Sequence, residues 1–397
     1  MYSGHTFISL YLRVEMRREY SVYLDLVRFT SALLVFFSHM TESRFIGGAI
    51  PYQGETAGLG VMAFFVLSGY VISYVSTTKE RTLRSFAVSR LARIYSVVIP
   101  ALALTIAVDL LALHYGWGRA VPDYQYRSFF TYLTSALTFT DQSQFLAEPT
   151  FGNRAFWSLD YEVWYYVLFA GAAYYGGWKR LVLLPIILFL AGSRVLVYLP
   201  LWLAGVAVFH LHSRVTISDR LAAWLFFASL FAVAALRVCG VDQMLDAFVK
   251  AALGGWPQRH MQNSQNFASH YTLVVLIAIN LFAANYMRLR IFANQRVASA
   301  IVYVASFTFA LYLMHMPFLD LYANVFHHNP HSWVSWAGLA VSVLFSIWLV
   351  GFITEHRKRD WRRFFQWLLD AVHDRAATYF PALLRIVSTA AVGSRHL

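Results

Sequence analysis

Charge is the scarcest commodity in this sequence. Only 13% of its 397 residues are Asp, Glu, Lys or Arg, about half of the roughly 25% found in soluble domains. A chain 59% hydrophobic and so poor in charge buries a core readily but cannot solvate what is left outside it. It also has a single cysteine, Cys239, which excludes an intramolecular disulfide framework and a cysteine-rich metal site; a small apolar residue within a span accounts for it. No metal-ligand spacing is present. Internal repeats and low-complexity segments are also lacking, as is a cleavable leader, since residues 1–20 have neither an apolar core nor a small-residue cleavage site.

What the sequence has is a succession of long apolar runs. Stretches of about 18 or more such residues read as bilayer spans. They fall near 22–40, 57–78, 94–114, 156–177, 181–193, 195–212, 221–239, 270–287, 299–325 and 333–354. The chain is therefore expected to be an all-α membrane protein of about ten transmembrane helices. Phe129–Thr140 is apolar but too short to cross and is read as re-entrant or interfacial. The net charge of +12 comes in short basic runs between spans, the pattern of cytoplasmic loops rather than of a nucleic-acid surface. With both termini cytoplasmic, twenty Lys and Arg fall in inner loops and eight outside. The expected organisation is a leader over 1–20, a membrane domain over 21–355 and a basic, amphipathic tail over 356–397. The first span begins near Tyr23 and Met16 is an alternative start. In the tail, Trp367–Phe380 is suited to lie on the anionic inner leaflet of the lipid bilayer.

A charged side chain near the middle of a spanning helix costs roughly 2.5–3.5 kcal/mol on insertion scales, so each one needs a reason. In the first span, Asp25 and Arg28 are three residues apart and can pair on one face. His39, eleven residues beyond Arg28, returns to nearly the same face about 16 Å away. The segment Phe156–Tyr166 sets Trp157, Ser158, Asp160 and Glu162 within an aromatic cluster, with Ser158, Glu162 and Tyr166 on one face. In the ninth expected span, Tyr312 and His315 are three apart. Arg90 and Arg93, one turn apart ahead of the third span, can clamp a phosphate. Each has a plainer reading: a structural ion pair for Asp25–Arg28, a satisfied interfacial imidazole for His39, an aromatic belt around Glu162, and topology anchoring for the arginines.

Taken together, these segments resemble the acyltransferase type 3 family of integral membrane acyltransferases, which modify O-antigens, exopolysaccharides, lipo-oligosaccharides and some antibiotics. The resemblance rests on Leu24-Asp25-Leu26-Val27-Arg28 with His39, Phe64-Phe65-Val66-Leu67-Ser68-Gly69-Tyr70, Arg90–Tyr95, Trp157–Glu162 and Ser306–Pro317, in the family's order over residues 20–355. The chain departs from the pattern at Ser96, where the family has Pro, and after Glu355-His356, where a Pro is missing.

The resemblance implies O-acyl transfer across the membrane, with no permanently bound cofactor. An acyl-CoA, expected to be acetyl-CoA, presents its thioester from the cytoplasm, and a hydroxyl of a glycan or similar acceptor approaches from outside. It further implies a multi-pass protein of the bacterial inner membrane. On this reading His39 is general base or acyl carrier, Glu162 orients the imidazole or the acceptor, and Arg90 and Arg93 hold CoA phosphates. Ser68 and Gly69 let the donor approach closely, while Asp25, Arg28, Trp157, Ser158, Tyr312 and His315 support the site. The arginine pair and His39 are expected some ~20–25 Å apart, a distance an extended pantetheine arm largely covers. A transporter or flippase is the competing class, because intramembrane Asp, Arg, His and Glu also mark substrate pathways; the missing inverted repeat weighs against it.

Overall fold

The structure is a computed structural model that describes residues 16–117, 123–354 and 357–379. The stretch ahead of Met16 and the end of the tail lie outside the described residues. Among the described residues every regular element is a helix, apart from one isolated β-bridge between Thr150 and Asn153. The main helices are α1 (Arg18–Met40), α2 (Gly54–Thr78), α3 (Leu83–Tyr115), α4 (Phe129–Thr138), α5 (Trp157–Tyr174) and α6 (Gly177–His212), followed by α7 (Asp219–Val238), α8 (Phe267–Ala284), α9 (Gln295–Ala305), α10 (Thr308–Val325), α11 (Trp333–Thr354) and α12 (Lys358–Tyr379).

Their ends follow local chemistry. A reciprocal capping box between Thr82 and Ser85 starts α3, and Asn294 and Ser218 cap α9 and α7 with their side chains, satisfying backbone N–H groups that the first turn leaves open. Gly116 closes α3 in the left-handed conformation that glycine adopts without strain (φ 64°).

Among the described residues, seven helices are long and apolar enough to cross a bilayer: α1, α2, α3, α6, α7, α8 and α11. The bent pair α9–α10 makes eight if it counts as one span. The expected segments without a one-to-one counterpart in this set have the following form. The expected spans 181–193 and 195–212 are two helical segments that meet at a kink, where Gly192 leaves helical geometry (φ 84°, ψ 167°). The helix α5 carries Asp160, Glu162 and a dense tyrosine content that lower its apolarity. The span expected at 299–325 is broken at Ser306–Phe307, where α9 and α10 meet at 46°. With 10 residues, α4 is ~15 Å long and cannot cross.

Helices α1, α2 and α6 form the centre. Gly69 of α2 and Gly205 of α6 bring two backbones together: a Cβ on Gly69 would lie 2.0 Å from the Trp202 carbonyl oxygen, and one on Gly205 would lie 1.9 Å from that of Val66. Small residues at crossing points permit such contact between membrane helices. The helix α10 lies against α1, α3 and α11. The basic segments gather at one end. Arg17 donates to the carbonyls of Asn285 and Met287 and Arg18 to Gln295, tying the start of α1 to the α8–α9 connection. The helix α12 packs on the start of α3, where Phe365 meets Val88 and Ala92 and Arg84 pairs with Asp370.

Candidate active site

Two cavities open between these helices. The smaller, about 260 Å³, is lined by Asp25 and Arg28 from α1, Ser68 from α2, Arg90 and Arg93 from α3, and Ser158, Glu162 and Tyr166 from α5. Val302, Ala305, Ser306, Thr308 and Phe309, around the α9–α10 break, complete its wall. Irregular backbone at membrane depth is tolerated where it borders a cavity, and this break does. The larger cavity, about 1080 Å³, contains His39, Tyr52, Trp157 and His270 with a wall rich in Gln and Asn.

The small cavity is a lattice of paired charges. Asp25 and Arg28 meet at 2.9 Å. Arg90 is buried and ion-paired with buried Glu80 at 2.7 Å, and its guanidinium lies over the Phe86 and Tyr166 rings. A buried pair of this kind ties the α2–α3 turn to α3, so Arg90 is engaged within the protein as well as facing the cavity. Glu162 accepts from Ser68 Oγ at 2.8 Å and from the Tyr166 hydroxyl. Ser68 Oγ in turn accepts from the Trp202 indole N–H at 3.1 Å. Three guanidiniums face two carboxylates across the lining.

The assignments drawn from the sequence need two corrections here. Glu162 engages Ser68 and Tyr166 in the small cavity and does not line the cavity of His39. Gly69 lines neither cavity; its bare face is filled by the α6 backbone, so it serves helix packing and not close approach of a donor.

The acid beside His39 is Glu42, which spacing reasoning missed. His39 Nδ1 lies 3.1 Å from Glu42 Oε1, and each side chain is 13% exposed. Arg154 Nη2 donates to both carboxylate oxygens at 2.6 Å, and Arg44 Nε donates at 2.9 Å. Arg44 is itself anchored to buried Asp320 of α10. Burial alone raises the Glu42 carboxyl, but the hydrogen bond from His39 and the charges of Arg44 and Arg154 outweigh it and bring it down to about 2. Glu42 is therefore a carboxylate at neutral pH. Facing it, Nδ1 is the ring nitrogen placed to donate to that carboxylate, with Nε2 on the other edge of the ring.

Behind His39, the buried His315 stacks on its ring at 5.3 Å between centroids. His315 Nδ1 donates to the Leu311 carbonyl at 3.0 Å, while its Nε2 is buried without a hydrogen-bond partner among the described residues. Tyr312 lines both cavities. Trp157 lines the large one and packs edge-on against Tyr161.

A bundle of apolar helices enclosing two adjoining cavities, one beside a histidine–carboxylate pair and one lined by guanidiniums, defines a multi-pass membrane protein. A family model described as an acyltransferase domain matches residues 21–354, and the chain belongs to that family, the acyltransferase type 3 proteins; it is a membrane acyltransferase. Comparison with curated proteins and with solved structures gave no match.

Proposed function

We propose that this protein transfers an acetyl group from acetyl-CoA, entering the small cavity from the cytoplasm, to a hydroxyl of a glycan in the large cavity on the opposite side. The observation that carries the reading is the adjoining of the two cavities, with His39 and its Glu42 partner on one side and three guanidiniums on the other.

At about 260 Å³ the donor chamber falls just below the ~300–1,000 Å³ of ordinary ligand pockets. It suits the acyl end of the pantetheine arm, whose apolar stem would lie against Leu67, Val71 and Phe309. Arg93, with Arg28 and Arg90, supplies positive charge for the phosphates. The acceptor chamber is larger and presents carboxamides from Gln142, Gln258, Gln262 and Asn263 beside Tyr52 and Trp157. The Gln142 and Gln258 side-chain amide oxygens are buried without a hydrogen-bond partner among the described residues, which suits them to receive sugar hydroxyls.

In this scheme Glu42 fixes the His39 tautomer and His39 Nε2 takes the acceptor hydroxyl proton as its oxygen attacks the thioester carbon. The C–O bond forms and the C–S bond breaks. The departing thiolate recovers the proton from the imidazolium, so the enzyme returns to its starting state. The test is acetyl transfer from labelled acetyl-CoA in membranes containing the protein. His39→Ala is expected to abolish transfer; a variant that keeps full activity refutes the assignment.

A further inference from the structure

The small and large cavities have two lining residues in common, Val61 and Tyr312. Val61 offers only methyl groups. Tyr312 is thus the one polar side chain, among the described residues, that borders both. Its ring is held edge-on by Phe64 at 5.4 Å and lies 6.4 Å from His315, which stacks on His39. Its hydroxyl is 2.6 Å from Ser158 Oγ, and Ser158 also lines the small cavity. A tyrosine hydroxyl accepts and donates at once. With Ser158 donating to it, the Tyr312 O–H remains available to a third group.

We propose that Tyr312 is a catalytic residue whose hydroxyl donates a hydrogen bond to the thioester carbonyl oxygen as acyl transfer proceeds, with Ser158 positioning it. The inference rests on the two-chamber reading above. A donor confined to one cavity and an acceptor confined to the other meet only where the cavities adjoin, and that place is bordered by Tyr312. When the acceptor oxygen bonds to the carbonyl carbon, the π electrons move onto the carbonyl oxygen. The Tyr312 O–H stabilises that oxyanion without giving up its proton. As the carbonyl reforms, the C–S bond breaks and the thiolate takes the proton that His39 removed from the acceptor. A preplaced donor aimed at a developing oxyanion, in a site shielded from bulk water, acts on kcat rather than on ground-state binding.

The experiment compares wild type, Tyr312→Phe, Ser158→Ala and His39→Ala in lipid nanodiscs, measuring kcat and the acetyl-CoA KM for acetyl transfer together with thermal stability. Tyr312→Phe keeps the ring contacts with Phe64 and His315. Its kcat is expected to fall ~10²–10³-fold, the loss typical of one oxyanion donor, with KM for acetyl-CoA within about threefold of wild type. Ser158→Ala should lose less, because the tyrosine O–H remains. A Tyr312→Phe enzyme with kcat within threefold of wild type, while His39→Ala is inactive, overturns this inference alone. A Ser158→Ala loss exceeding that of Tyr312→Phe assigns the donor to the serine and also overturns it. An active His39→Ala enzyme refutes the underlying two-chamber chemistry instead.

Discussion

Replacing Glu42 with glutamine changes one atom and removes the charge on which the His39 corner of the site is built. The carboxylate receives hydrogen bonds from His39, Arg44 and twice from Arg154, which together hold its carboxyl at about 2 despite burial. A carboxyl so far below the roughly 4.3 of a free Glu represents a few kcal/mol at most. Arg154 and Arg44 are 52% and 39% exposed, so water screens much of this, leaving on the order of 1–2 kcal/mol of stability. The sign is that of a depressed acid: the contribution is complete above the unfolded carboxyl range and is lost only as pH falls towards 2. Between pH 5 and 8 the stability gap between wild type and Glu42→Gln should therefore be constant, and any loss of rate there reflects chemistry rather than unfolding. That loss should be large. The amide can turn its NH2 towards Nδ1 and select the wrong tautomer, and it no longer offsets the imidazolium that forms during transfer. The expected fall in kcat is ~10²–10⁴-fold, roughly 3–5 kcal/mol in barrier height. The assay is initial-rate acetyl transfer at saturating acetyl-CoA in nanodiscs, with a melting curve for each protein. A Glu42→Gln enzyme within threefold of wild type would show that the carboxylate does not serve the imidazole.

Three further outcomes are expected. Arg93→Ala should raise the acetyl-CoA KM tenfold or more with kcat within about threefold, whereas Arg90→Ala should lower the melting temperature, because it strands buried Glu80 at a cost of about 3–5 kcal/mol; equal effects of the two variants on KM and stability would refute this division. Gly69→Ala places a methyl 2.0 Å from the Trp202 carbonyl oxygen and should destabilise the α2–α6 contact by about 1–3 kcal/mol, visible as a lower midpoint in thermal unfolding. Burial lifts the Asp141 carboxyl to about 6, against hydrogen bonds from Ser135 and Thr150 and with Glu148 adding to the rise; a raised acid favours folding while protonated, so wild-type stability should decline from about pH 4 to 6 and then level off, and Asp141→Asn should flatten that slope in melting curves taken across the range.

Short-range features of this protein were readable from spacing. Asp25 and Arg28, three apart on one helix, do pair, and Glu162 and Tyr166, four apart on another, are hydrogen-bonded. Partners fixed by tertiary packing were not readable. Glu42 stands only three residues beyond His39, yet it lies past the end of α1; what singles it out is Arg154, 112 residues away. Gly69 seemed to be a point of ligand approach because nothing local shows that Trp202 fills its open face. The break between the spans 181–193 and 195–212 falls at Gly192, where the backbone leaves helical geometry, whereas the bend at Ser306–Phe307 within the span 299–325 was not readable from composition.

The packing of α12 on α3 bears on how the protein should be handled. Val88, Leu91, Ala92 and Tyr95 of α3 meet Trp361, Phe365 and Leu369 of α12, while Arg90 and Arg93 on the same turns line the small cavity, where the proposed donor would sit. Elsewhere on α12, Phe364, Trp367 and Val372 are exposed. Detergents that compete for those side chains should peel the helix away and cost the protein its grip on acetyl-CoA while its melting temperature hardly changes. Preparations extracted into polymer-bounded native lipid should retain it.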